Sequence, residues 1–292
     1  MRNKTLMLCL VVCLSLLIGC AGRNGETPKV DPLILVAVVP ASSNEARIAD
    51  DDSAALTLIS TNITASEKIC VALGEVIDWM ANDEEVSTQQ MQEKHDELKL
   101  TIRDLAKLQD EINALPAGGQ DGVKLTIAAA REYFRRLTAL ANDLSEVVAY
   151  GVELFTALEP TVNFNPPEST TGYNDYSLFA GQLSLAVSQS QTLLKKARVP
   201  AYLSGSHSDL VKRMDEYQSF CQDFSVAIQL DDPLRIYSCM YRMERLEMMI
   251  EKCGNNLDED LALQFDRLKI RLGGSVASIR GELVSNIALL QG

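Results

Sequence analysis

His95 and His207 are the two histidines of the chain, and they set the first test of what chemistry it can perform. A di-metal site inside a helical bundle takes Glu-x-x-His from each of two helices. Here Gln92 stands three residues before His95 and Ser204 three before His207, so the motif is missing at both. His-Glu-x-x-His does not occur, nor does a Gly-x-Ser-x-Gly elbow, a Gly-x-Gly-x-x-Gly turn or a phosphate loop. Ser, His and Asp do fall together in "SGSHSD" at 204–209. Catalytic triads are assembled in space from separate segments. The run therefore reads as a polar turn and helix start, and both histidines read as solvated helix positions.

The acid runs Asp50-Asp51-Asp52 and Asp258-Glu259-Asp260 lack the ligand spacing of a calcium loop. Acids at helix starts are stabilised by the helix dipole without any metal. Trp79, Tyr173, Tyr176, Phe179, Tyr237 and Tyr241 could line a pocket between helices, although such residues more often fill a bundle core. The sequence thus points to no catalytic residue, no metal site and no cofactor, and the chain is not expected to be an enzyme.

The start of the chain carries a clearer message. Arg2 and Lys4 precede an apolar run of thirteen residues, Leu6 to Ile18, followed by Gly19-Cys20. That is the layout of an export leader, and it is short of the ~20 apolar residues a spanning helix needs. Leu17-Ile18-Gly19-Cys20 resembles the lipobox of bacterial lipoproteins. The resemblance implies that diacylglycerol is attached to the Cys20 thiol, that the chain is cut before Cys20, and that the new amino terminus is acylated. It also implies an extracytoplasmic protein held at a membrane by lipid, palmitate among the usual acyl chains. The residue after the cysteine is Ala21, which in two-membrane bacteria permits passage to the outer membrane; with one membrane, the anchor stays in the cell membrane.

The 292 residues carry a formal net charge of −13, and loss of Arg2 and Lys4 with the leader makes the remainder more acidic still. Such a surface repels phosphate backbones, so nucleic acid is not an expected partner. Aromatics make up 5% of the chain while Leu, Ala, Glu and Gln abound, which favours helices. One β-rich run, Leu33 to Val39, lies between Pro32 and Pro40 and reads as a short strand or an extended tether segment.

Apolar residues alternate at spacings of three and four along most of the rest. The first seam is Leu56, Ile59, Ile63, Ser66, Cys70, Leu73, Ile77 and Met80. The second is Leu98, Ile102, Leu105, Leu108, Ile112 and Leu115, stopped by Pro116-Ala117-Gly118-Gly119. The third runs Ile127, Ala130, Phe134, Leu137, Ala141, Leu144, Val148, Gly151 and Phe155. After the loop-like "EPTVNFNPPESTTG" come Leu183, Val187, Ser190 and Leu194, then Leu210, Met214, Tyr217, Cys221, Phe224 and Ile228. Asp232-Pro233 supplies an N-cap and a first-turn proline before Ile236, Cys239, Met243, Leu246, Ile250 and Cys253. A turn is expected at Gly254-Asn255-Asn256, and a kink at Gly273-Gly274 in the final helix.

These seams predict an all-α fold of long antiparallel helices, in one extended bundle or two packed three- or four-helix bundles. The expected divisions are a leader at 1–19, a tether at 20–43, a first bundle at 44–158, a linker at 159–172 and a second bundle at 173–292. The segment Pro200…His207…Tyr217…Asp232-Pro233 loosely resembles helical-bundle envelope lipoproteins of unknown activity. The function expected is a non-enzymatic interaction or structural module of the cell envelope, touching the membrane through Cys20 and a protein partner; the alternative is a small-ligand module with a pocket in the bundle.

Four cysteines remain past the lipid site: Cys70, Cys221, Cys239 and Cys253. Cys239 and Cys253 are about 21 Å apart along one expected helix, too far for a disulfide. Residues 221 and 239 are equidistant from a turn at Leu230-Asp231-Asp232, whereas 221 and 253 are not. If bonds form in an oxidising compartment, Cys221–Cys239 is the pair this hairpin allows, with Cys70–Cys253 the remaining possibility.

Overall fold

The seams fold as helices, and in the computed structural model residues 50–82, 87–116, 119–164 and 173–291 are described. The leader, Cys20, the tether and the Leu33–Val39 run lie outside the described residues, as does most of the 159–172 segment. Helix α1 spans Asp50–Asn82, α2 Thr88–Asn113, α3 Asp121–Val162 and α4 Tyr173–Leu194. A 3-10 turn at Ala201–Leu203 leads into α5, Ser204–Gln229. Helix α6 covers Pro233–Ile270, and a π turn at Arg271–Val276 joins it to α7, Ala277–Gln291. Every regular element among the described residues is helical, so the protein is an all-α helical bundle.

Two cores result, and α3 and α6 run through both. In the first, Leu56, Ile59 and Ile77 of α1 pack against Leu98 and Leu105 of α2 and against Ile127, Phe134 and Leu144 of α3. In the second, Tyr150 and Leu154 of α3 meet Val187 of α4, Met214 and Phe220 of α5, and Leu246 and Leu257 of α6. The cores do not divide at residues 159–172. Phe265 and Leu268 of α6 and Leu283 and Ile287 of α7 return to the first core, while the end of α3 belongs to the second. Half-buried Leu261 packs against both. At 1.5 Å per residue α3 is ~63 Å long, which is what allows one helix to serve two cores.

Two sequence expectations are corrected. No turn interrupts Gly254-Asn255-Asn256: α6 is continuous there. Cys253 and Leu257, one helical turn apart, are both buried in the second core, and that packing outweighs the ~1 kcal/mol helix penalty of a glycine. Nor does the loop begin at 159, because Glu159-Pro160-Thr161-Val162 complete α3. Proline in a last turn forfeits one backbone bond, and its fixed φ suits a helix.

The ends are capped as local chemistry dictates. Ser87 and Gln90 form a reciprocal capping box at α2. Asp232 Oδ1 accepts from the amides of Leu234 (3.1 Å) and Arg235 (3.2 Å) ahead of Pro233, as expected from sequence. At the α5 end Asp231 N–H donates to Ile228 O and Asp232 N–H to Ala227 O. This is the paired bonding that normally employs a left-handed glycine, and Asp231 fills that position at φ 49°. Gly273-Gly274 sit inside the π turn, at the place where the kink was expected. Gly151 has a packing role: a Cβ there would overlap Met91 Sδ, which seats the start of α2 against α3.

Candidate functional site

His207 is not a solvated position. It is 7% exposed, and both ring nitrogens are engaged: Tyr150 Oη lies 3.0 Å from Nδ1, and Leu194 O lies 3.1 Å from Nε2. A carbonyl only accepts, so Nε2 carries the proton and Nδ1 accepts from the tyrosine hydroxyl. Burial holds the imidazole below its usual pKa, the bond to Leu194 opposing weakly. A neutral ring thus ties the end of α4 to α3 and α5. Heptad phase explains the position, because Leu203, His207, Leu210 and Met214 repeat at four, three and four. His95 is half-buried on α2, and desolvation, with Lys99 adding to it, likewise lowers its pKa.

The "SGSHSD" run does not act as a unit. Ser204 Oγ donates to Ala201 O, Ser206 Oγ to Asp260 of α6, and His207 bonds elsewhere. The acid runs disperse in the same way. Asp52 is 2% exposed, and its carboxylate accepts from the amides of Gly119 (2.8 Å) and Gln120 (3.1 Å). It therefore caps the start of α3 from a neighbouring helix. Among the described residues no group of three His, Cys, Asp or Glu side chains is placed to hold a metal ion.

Asp258 borders a cavity of about 60 Å³ between α3, α5 and α6, whose walls include Leu154, Leu158, Met214, Tyr217 and Leu257. Burial among these groups pushes its carboxyl up to about 7. Thr161, also on the wall, spends its hydroxyl on Ser190 Oγ at 2.7 Å. In the first core Tyr133 is fully buried, with its hydroxyl 2.7 Å from Ser66 Oγ; Ser66 in turn donates to Ile63 O.

The four thiols are free, with Cys221, Cys239 and Cys253 buried in the second core and Cys70 half-buried beside Tyr133. Burial raises all four pKa values, that of Cys221 to about 12, which suppresses the reactive thiolate. Helices α5 and α6 are joined by a turn at 230–232.

Of the aromatics proposed for a pocket, Trp79, Phe179, Tyr237 and Tyr241 have described side chains, and these four do not line one cavity. Trp79 packs against the first core and Phe179 lies in the second, while Tyr237 and Tyr241 face solvent. The last two belong to a different feature. Leu234, Tyr237, Tyr241 and Met248 of α6 are 84, 76, 72 and 62% exposed. Their spacing of three, four and seven sets them on one face, opposite the buried Cys239, Leu246 and Ile250. Leu230, at the α5–α6 turn, and Val226 of α5 are exposed as well. Scattered exposed apolar residues are ordinary; here four share one face of a single helix, with exposed Glu244 and Arg245 between Tyr241 and Met248.

Comparison with protein-family models, with curated proteins and with solved structures finds no match for this chain. The class defined by the architecture is an all-α bundle with two cores sharing two long helices. No described helix is long and apolar enough to cross a membrane.

Proposed function

We propose that the protein is a lipid-anchored, extracytoplasmic module that engages another macromolecule at the cell envelope without catalysing a reaction. The lipobox-like Leu17-Ile18-Gly19-Cys20 supports the anchor. The observation that carries the rest is the exposed apolar face of α6. It lies at the far end of the molecule from the start of α1, as helix registers make clear. Leu154 and Leu257 line the same cavity, so α3 extends ~50 Å one way to Asp121 and α6 ~35 Å the other way to Leu234. Asp52 holds the start of α1 beside Gly119. A docking face thus stands ~85 Å from the end that leads to the tether.

The alternative of a small-ligand module draws on the Asp258 cavity. Its 60 Å³ falls well below the ~300 Å³ at which ligand pockets begin. The test of the leading reading is thiol labelling of Tyr237→Cys protein in intact envelopes and in dilute purified form. Protection in the envelope supports a covered face. Equal labelling in both, over the background of the parent protein, refutes it.

A further inference from the structure

We propose that the apolar face of α6 docks a second copy of this chain, in antiparallel register about Tyr241. The inference rests on the reading of that face as a docking surface. Its own N-terminal apolar run cannot be the occupant. Val39 precedes Asp50 by eleven residues, a reach of ~40 Å at full extension, and the face lies about twice that distance away.

The face is complementary to itself. A two-fold axis through Tyr241 brings each residue opposite the one equally far on the other side. Leu234 then meets Met248 of the second copy, and Tyr241 meets Tyr241. On one flank Tyr237, four residues before the axis, falls one residue rise (~1.5 Å) from Glu244 of the second copy, three residues after it, both exposed, so the phenol can donate to the carboxylate in two equivalent bonds. On the other flank Arg245 falls the same single step from Ser238, both exposed as well. The isologous arrangement uses one patch twice and closes, as dimers of this symmetry do.

The size is sufficient. Four large side chains exposed by 62–84%, with Ser238, Glu244 and Arg245 beside them, offer roughly 600–800 Å² per copy, the scale of a specific interface at ~800 Å² per partner. Repulsion between acidic copies, each more negative than the −13 of the full chain once Arg2 and Lys4 are lost, opposes association, so the dimer is expected to strengthen with salt. The two α1 starts lie at opposite ends of the pair, and two anchors in one membrane would lay it along the surface.

The test uses residues 21–292, which contain every described helix. Sedimentation equilibrium should give twice the monomer mass at roughly 100 µM, affinities of this scale being common for small interfaces. Tyr237→Asp with Tyr241→Asp should return the monomer while helical circular dichroism is unchanged. Mild oxidation of Tyr241→Cys should give a covalent dimer, whereas Leu178→Cys, exposed on α4, and the parent should not. A chain that is monomeric throughout, a dimer that survives the double aspartate variant, or equal cross-linking at the α4 site would each overturn the inference. If the purified chain is monomeric yet the face is protected in the envelope, the docking reading stands and the second copy is not the partner. If neither is seen, both fail.

Discussion

Asp258→Asn should stabilise the protein at neutral pH and remove a defined part of its pH dependence. The carboxyl titrates near 3.8 in an open chain and is pushed up to about 7 in the fold by burial at the cavity. The folded protein therefore keeps a proton that the unfolded chain has already lost. Its contribution is fully favourable below pH ~4, is lost as pH rises from ~4 to 7, and is a constant cost above that. About three pH units at ~1.36 kcal/mol each set a ceiling of ~4 kcal/mol. The side chain is only partly buried, so solvent screening brings the expected cost to about 2 kcal/mol.

Asparagine has nearly the same shape and no charge. Any cost of burying its amide is independent of pH, so the informative quantity is the stability of Asp258→Asn minus that of the parent. That difference should rise by about 2 kcal/mol between pH 4 and 8, read from urea midpoints in matched buffers. The difference also removes a competing contribution. His207 has its pKa lowered by burial, so its part is present above the unfolded value and falls away as pH drops, the opposite sign to Asp258. It is common to both proteins and cancels. A difference that is flat from pH 4 to 8, or that is larger at pH 4, would refute the assignment of a buried acid at the cavity.

Tyr150→Phe deletes the donor to His207 Nδ1 and should cost ~1–3 kcal/mol in urea denaturation, because a buried acceptor is left unpaired. Asp52→Ala exposes the amides of Gly119 and Gln120; a loss of ~1–2 kcal/mol is expected, with faster hydrogen exchange at the first turn of α3. Asp231→Gly, at φ 49°, should raise the urea midpoint by the equivalent of ~0.5–1 kcal/mol, since glycine takes that backbone without steric penalty. Mass spectrometry of the N-terminal peptide should find lipid on Cys20 as the first residue; an unmodified Cys20 would remove the anchor. Non-reducing maps of the same host-exported protein should contain no Cys221–Cys253 or Cys239–Cys253 bridge, either of which would contradict the α5–α6 register.

The fold was legible because periodicity reports which face of a helix is buried, and each seam named from sequence lies in or against one of the two cores. Long-range placement was not legible in the same way. Nothing in a heptad says which core it joins, so the return of Phe265, Leu268, Leu283 and Ile287 to the first core had no local signal. The Gly254-Asn255-Asn256 expectation failed for a related reason. Turn propensity is worth about 1 kcal/mol per residue, less than the burial of Ile250, Cys253 and Leu257, which keep step across it.

The buried polar residues were missed through residue type, although phase was available. Asp52 precedes Leu56 by four and His207 follows Leu203 by four, so both stand in seam positions. A polar residue in phase with a seam is carried into the core and must find partners there: Asp52 has the amides at the start of α3, His207 has Tyr150 and Leu194, and Ser66, which was counted in its seam, has Tyr133 and Ile63. The same rule, turned outward, exposes the surface on which the functional reading depends. Helix α6 carries one apolar line at 239, 243, 246, 250 and 253, and a second at 234, 237, 241 and 248, on roughly opposite sides. The rest of this fold covers only the first line, which leaves Leu234, Tyr237, Tyr241 and Met248 in water. The second line lies outside both cores, and covering it would be worth about 25 cal/mol for each Å² removed from water.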